Sequence, residues 1–205
     1  MMQADKVIPR VWKRKASKNP PANPLEQKPA LRVVESDRLT LVAANVELVK
    51  GDLEGFATLS SMLEAWVPDN WPPELYDREA MGYALRMLED STFSGWSFWY
   101  MLLRTEPKPQ LIGICGFKGR PDPAGSVEIS YSVISQFRNQ GYASEAVNRL
   151  VRWAFSHQAV REVSAETLPH LQSSIRVMKK NGFEFTGAGS ERGVVRYAVQ
   201  RPDRH

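Results

Sequence analysis

The densest chemistry in this 205-residue chain lies between Glu128 and Ala143. The stretch Arg138-Asn139-Gln140-Gly141-Tyr142-Ala143 joins an alternating segment, Glu128 to Ile134, to one in which Ala146, Val147, Leu150, Val151, Ala154 and Phe155 recur at helical spacing. A strand that passes through a glycine-containing turn into a helix leaves the first-turn N–H groups unpaired and aimed at one point. That point is an anion seat, and phosphate is its usual occupant. Gly141 suits the use, because a side chain there would hold a ligand off the backbone or forbid a positive φ. The phosphate-loop pattern G-x-x-x-x-G-K-S/T and the dinucleotide pattern G-x-G-x-x-G are both absent. On spacing alone, an ordinary strand-to-helix turn fits the same residues equally well.

The elements that must position this loop can be read from periodicity. Arg38 to Ala43 forms a first strand. Residues 45–65 carry helical spacing (Val46, Val49, Leu53, Phe56, Leu59, Leu63) broken near Gly51 and Gly55, which predicts two short helices. Trp66-Val67-Pro68-Asp69-Asn70-Trp71-Pro72-Pro73 is a rigid aromatic loop, followed by a helix from Glu74 or Asp77 to Glu89. Trp96 to Arg104 and Leu111 to Lys118 are strands of a hairpin turned by Thr105 to Gln110. Beyond the loop come a strand over Glu162 to Thr167, a helix over Gln172 to Lys180 closed by Gly182, and strands near Phe183 to Thr186 and Gly193 to Val199. The pattern is a mixed α/β domain over 31–205 without internal repeats.

Charge is concentrated at one end. Residues 1–30 hold seven Lys or Arg against Asp5 and Glu26, a net +5 that exceeds the +4 of the whole chain and leaves −1 for residues 31–205. Five prolines in the same stretch oppose helix and strand, so 1–30 reads as a flexible basic extension. Contact with nucleic acid, the ribosome or another anionic surface is one role open to it. No apolar core follows the positive residues as in a signal peptide, and no run approaches the ~18 apolar residues of a membrane span. Cys115 stands alone in an apolar strand, which forbids an internal disulfide and fits a reducing, cytoplasmic setting. His157, His170 and His205 are too scattered for a metal site.

Three segments resemble landmarks of the GNAT superfamily of acetyl-CoA-dependent N-acetyltransferases. Arg138 to Ala143 matches its Q/R-x-x-G-x-G/A signature. Ser174-Ile175-Arg176-Val177-Met178-Lys179-Lys180-Asn181-Gly182-Phe183 is similar to the S-x-R-V-L-x-K-x-G-F segment of the ribosomal-protein (RimJ/RimL-like) branch, and Ser36-Asp37-Arg38-Leu39-Thr40-Leu41 to its first strand. The resemblance spans roughly residues 31–200. It implies a central, mostly antiparallel sheet whose fourth and fifth strands splay apart, flanked by helices. It also implies acetyl-CoA as co-substrate, no metal, and direct attack by a primary amine of a protein N-terminus, a peptide or a small metabolite. A detoxifying small-molecule acetyltransferase and a non-catalytic acyl-CoA-binding regulator are the alternatives; monomer and homodimer are both compatible.

Carried over by position, the resemblance assigns Val133 and Ile134 to the pantetheine arm and thioester. It assigns the backbone N–H groups of Arg138, Asn139, Gln140, Gly141, Tyr142 and Ala143 to the diphosphate. Glu128, on one strand face with Ser130 and Ser132, is the candidate base, against a plain solvated or structural carboxylate. Ser174 is the candidate donor to the departing thiolate, against a helix cap. Trp66, Trp71 and Tyr76 are expected to wall the acceptor pocket, against simple packing of the loop. Two departures stand out: Met178 replaces the family's frequent tyrosine, and Leu171 an asparagine that contacts coenzyme.

Overall fold

A computed structural model of the protein describes residues 31–202. The expected extension over 1–30 lies outside the described residues, as does His205. One eight-stranded sheet organises the domain: β1 (Val33–Glu35), β2 (Leu39–Ala43), β3 (Phe98–Leu103), β4 (Gln110–Phe117), β5 (Ser126–Val133), β6 (Glu162–Thr167), β7 (Glu184–Ala188) and β8 (Val195–Gln200), in the order β1-β2-β3-β4-β5-β6-β8-β7. Every neighbouring pair is antiparallel except β5 with β6.

Five α-helices among the described residues cover the two faces. α1 (Val46–Glu54), α2 (Phe56–Leu63) and α3 (Arg78–Leu88) share a buried cluster with Val42, Phe98, Tyr100, Leu111 and Ile114. α4 (Tyr142–Phe155) and α5 (Gln172–Lys180) share the opposite one with Trp99, Ile112, Cys115, Val127 and Ile129. In β3 the period of two deals Phe98 and Tyr100 to one core and Trp99 and Met101 to the other. A sheet buried on both sides requires that near-continuous apolar character.

Local signals fix the helix ends. The Asn45 side chain accepts from Leu48 N at 2.8 Å and starts α1. Gly55, at φ 146, separates α1 from α2, whereas Gly51 stays within α1. Asp77 accepts from the amides of Glu79 and Ala80, which places the start of α3 after Asp77 and leaves Glu74 in the loop. Gly182, at φ 77, follows α5 as expected. Two differences bear on the site. The three-residue β1 is too short to leave a periodic trace, and it moves the splayed pair from fourth and fifth to fifth and sixth in the count. β5 also begins at Ser126, two residues before the alternation was read.

Candidate active site

Strands β5 and β6 run together for only three pairs, Ser126 with Glu162, Val127 with Val163 and Glu128 with Ser164. After that, β5 pairs only β4, and Ala165, Glu166 and Thr167 of β6 pair only β8. The ladder's alternation is pinned by the Ile134 amide on the Ile112 carbonyl and the Lys118 amide on the Glu128 carbonyl. The peptide groups of Tyr131 and Val133 therefore face away from β4, into a gap open between two strands. An extended ligand carrying amides can pair with such an edge as an added strand.

The two residues expected to meet that ligand are not equivalent. Val133 turns its peptide group to the gap. Ile134 spends its amide on Ile112, at 2.9 Å, inside the sheet.

Beyond the gap, the chain forms a 3-10 turn at Ser135–Phe137 and enters α4 through Arg138 to Gly141. Asn139 (φ 62) and Gly141 (φ 85) are both left-handed, a bend that makes successive amides converge. Gly141 caps α4 with no side-chain hydrogen bond, so the helix's first-turn amides are left for a ligand. The Arg138 amide is an exception to the expectation, since it donates to the Ser135 carbonyl at 3.2 Å. The cradle is thus narrower, from Asn139 to Ala143.

Arg38 braces this cradle from β2's side. Its Nη1 donates to the Gln140 carbonyl at 3.0 Å, its Nε to Glu145 Oε2 at 2.7 Å, and its guanidinium lies 4.4 Å from the Tyr142 ring centroid. Glu145 Oε1 also accepts from the Arg38 amide and the Ser36 hydroxyl, each at 2.7 Å. Burial would raise the Glu145 pKa, but these donors and the nearby guanidinium outweigh it and hold the carboxyl below its ordinary value. Sequence reading saw Arg38 only as part of a strand landmark and passed over Glu145; opposite charges 107 residues apart leave no local signal.

On the α1–α3 face, Glu128 sits where β5 and β6 part. Its Oε1 pairs with Lys118 Nζ at 2.5 Å. Tyr76 reaches the next position on that face, its hydroxyl 3.0 Å from Ser130 Oγ; burial raises its phenol to about 12, so it stays neutral. The three aromatic residues expected around the acceptor do not stand together. Trp71 is buried beneath the loop, where its Nε1 donates to Asp52 at 2.8 Å. Trp66 is 58% exposed and lines an open depression of about 540 Å³ with Pro68, Asp69, Asn70, Gln110 and Gln136. Only Tyr76 borders Glu128's face of the strand.

On the opposite face, Tyr131 reaches across the gap to α5. Its Oη lies 3.0 Å from Ser174 Oγ and 3.1 Å from the Ser174 carbonyl. Ser174 does not cap α5; Leu171 takes that position without any side-chain bond, and is 43% exposed. The Gln172 side-chain amide beside it donates to the Pro169 carbonyl at 2.8 Å. Met178 is fully buried and presents no hydroxyl.

These features agree with the proteins this chain is similar to. Residues 38–184 match the family model described as an acetyltransferase (GNAT) domain. An uncharacterized N-acetyltransferase of Bacillus subtilis (strain 168), YjdG, is 25% identical over 152 residues, covering 74% of this chain and 89% of its own. Among solved structures, a ribosomal-protein-S5-alanine acetyltransferase from Vibrio fischeri superposes with a TM-score of 0.60 at 17% identity, over 84% of this chain and 98% of that one. RimL, a ribosomal L7/L12 alpha-N-protein acetyltransferase in complex with coenzyme A, superposes with a TM-score of 0.59 at 18% identity, over 82% and 98%. The splayed strands, the glycine-capped helix and the family match over most of the chain lead to one conclusion: this protein belongs to the GNAT family of N-acetyltransferases.

Proposed function

We propose that the protein transfers the acetyl group of acetyl-CoA directly to an α-amino group of a protein, a peptide or a small metabolite. The observation that carries this reading is the gap between β5 and β6, which has Glu128 at its closed end and the Asn139 to Ala143 amides at its open end. The cradle holds the diphosphate, and the gap-facing peptide groups of Tyr131 and Val133 pair with the pantetheine arm once Arg138 releases the Val133 carbonyl. That arrangement lays the thioester along β5, toward Glu128. A backbone donor aimed at the thioester oxygen stabilises the tetrahedral oxyanion by about 3–4 kcal/mol.

The attacking amine must be neutral. A lysine side chain at ~10.4 costs about 4.6 kcal/mol to deprotonate at pH 7, an α-amine at ~7.8 only about 1 kcal/mol. Glu128 stands at the gap's closed end on the acceptor face, where Lys118 pairs with its Oε1. Its Oε2 takes the proton shed by the amine, directly or through water. Such modest base machinery suits the α-amine. The likeness in fold to RimL and to the S5-alanine enzyme, both named for protein acceptors, supports the same class.

The test is free-thiol release from acetyl-CoA across a panel of amines and peptides. Turnover with α-amines exceeding that with lysine side chains is expected, and Glu128→Gln lowers it most at low pH. Absence of both thiol release and calorimetric coenzyme binding would overturn the reading.

A further inference from the structure

We propose that the Tyr131 phenol is a catalytic hydrogen-bond donor to the sulfur leaving in acetyl transfer, held in place by Ser174; the inference rests on the reaction proposed above. Tyr131 is the residue whose peptide group faces the gap and whose side chain crosses it, from β5 to α5. Any thioester lying along the gap passes beneath that hydroxyl pair.

The hydrogen-bond roles follow from what each atom can do. The Ser174 carbonyl only accepts, so the phenol donates to it at 3.1 Å. The Ser174 Oγ–H is then the donor to the phenol oxygen, at 3.0 Å. When sulfur arrives, Oη turns its proton from the carbonyl to the sulfur, and Ser174 continues to donate to Oη. The pair thereby polarises toward the developing negative charge without moving a heavy atom.

Other hydroxyl and thiol groups near the gap are placed for different work. Tyr76 and Ser130 bond to each other on the acceptor face. Cys115, opposite Tyr131 on β4, is fully buried, and burial pushes its thiol up. Met178 has nothing to donate.

Burial pushes the Tyr131 phenol up to about 12, with the Ser174 bond working against that rise. An ordinary thiol titrates near about 8.5. The phenol is therefore the weaker acid and keeps its proton, so it lends a hydrogen bond rather than surrendering H⁺. The step balances accordingly. The amine nitrogen forms the new bond to the carbonyl carbon, the C–S bond breaks with its electron pair going to sulfur, and the amine's proton passes to Glu128 or water. The thiolate, stabilised by Tyr131, collects a proton from solvent on release.

A hydrogen bond to a charged partner is worth about ten- to a hundredfold in the equilibrium it biases. Free coenzyme A, bound to the whole protein, reads this without any acceptor. Ultraviolet absorbance of its thiolate should titrate about one to two pH units lower on the native protein than on Tyr131→Phe. Coenzyme affinity at a pH where the thiol is protonated should stay within about twofold. Ser174→Ala should move the titration the same way by a smaller amount, which serves if Tyr131→Phe does not fold. In turnover, Tyr131→Phe should lower kcat with little change in KM for acetyl-CoA. Bound thiol titrating identically in native protein and both variants overturns this inference while leaving acetyl transfer standing. Failure of coenzyme A to bind the native protein overturns the reaction itself.

Discussion

Arg138 Nε donates to the Val133 carbonyl at 2.8 Å, so the residue just before the Asn139 to Ala143 turn also occupies the gap's outermost acceptor. Its Nη2 pairs with Glu74 Oε2 at 3.1 Å, in the loop before α3. A pantetheine amide seeking Val133 has to displace this side chain. Glu74→Gln loosens the hold, and because Glu74 is well exposed the gain is small. Calorimetry at low salt should find coenzyme A bound about two- to fivefold more tightly to the variant.

Gly141→Ala tests the cradle itself. At φ 85 a side chain costs about 1–2 kcal/mol of stability. The added Cβ would also stand 3.3 Å from Arg38 Nη2, which must shift. Urea denaturation should register that loss. Coenzyme affinity should fall by at least about tenfold, because relieving the strain turns the amides away from their common point.

The Glu145 brace is pH-dependent with a definite sign. Its folded pKa lies below the ordinary 4.5, so its contribution is present above that pH and is lost as the pH falls further, through the depressed value. Glu145→Gln should melt at a lower temperature than the native protein at pH 7. The difference should close in acid, measured as melting temperature against pH.

Asp52 presents the opposite case. Burial raises its carboxyl against the lowering bonds from Trp71 (2.8 Å) and Tyr100 (3.0 Å). A raised carboxyl costs stability at neutral pH, a cost that fades as the pH drops through its folded value. Asp52→Asn keeps an acceptor for Trp71 and offers Tyr100 a donor, so it should match or exceed native stability at pH 7 and lose that advantage in acid. Asp52→Ala strands a buried indole N–H and a phenol, and should lose about 2–4 kcal/mol by urea denaturation.

What the sequence discloses follows the range of the forces involved. Gly141 and the α4 repeat are legible because turn and helix are local. Asp77 was already one of two candidate starts for α3, and its cap decides between them. Arg38 with Glu145, Arg138 with Glu74, and Tyr131 with Ser174 are tertiary pairs that no periodicity encodes. Alternation along β5 assigned Tyr131 to the face away from Glu128 but could not tell that a helix hydroxyl waits there. Trp66, Trp71 and Tyr76 were grouped because the family resemblance lays their segment over the acceptor pocket. The loop instead sends one outward, one into the core beside Asp52 and one to Ser130.

The three pairs joining β5 to β6 have a mechanical meaning as well as a chemical one. They are a short seam between two sheet halves, one of five strands and one of three. Under the proposed reaction, a thioester carrier laid along the open edge would suture that seam, making the substrate a structural member for as long as it stays. Once the acyl group has gone and the carrier departs, those rungs and the apolar core that Val163, Ala165 and Tyr197 share with Val127 and Ile129 keep the smaller half in place.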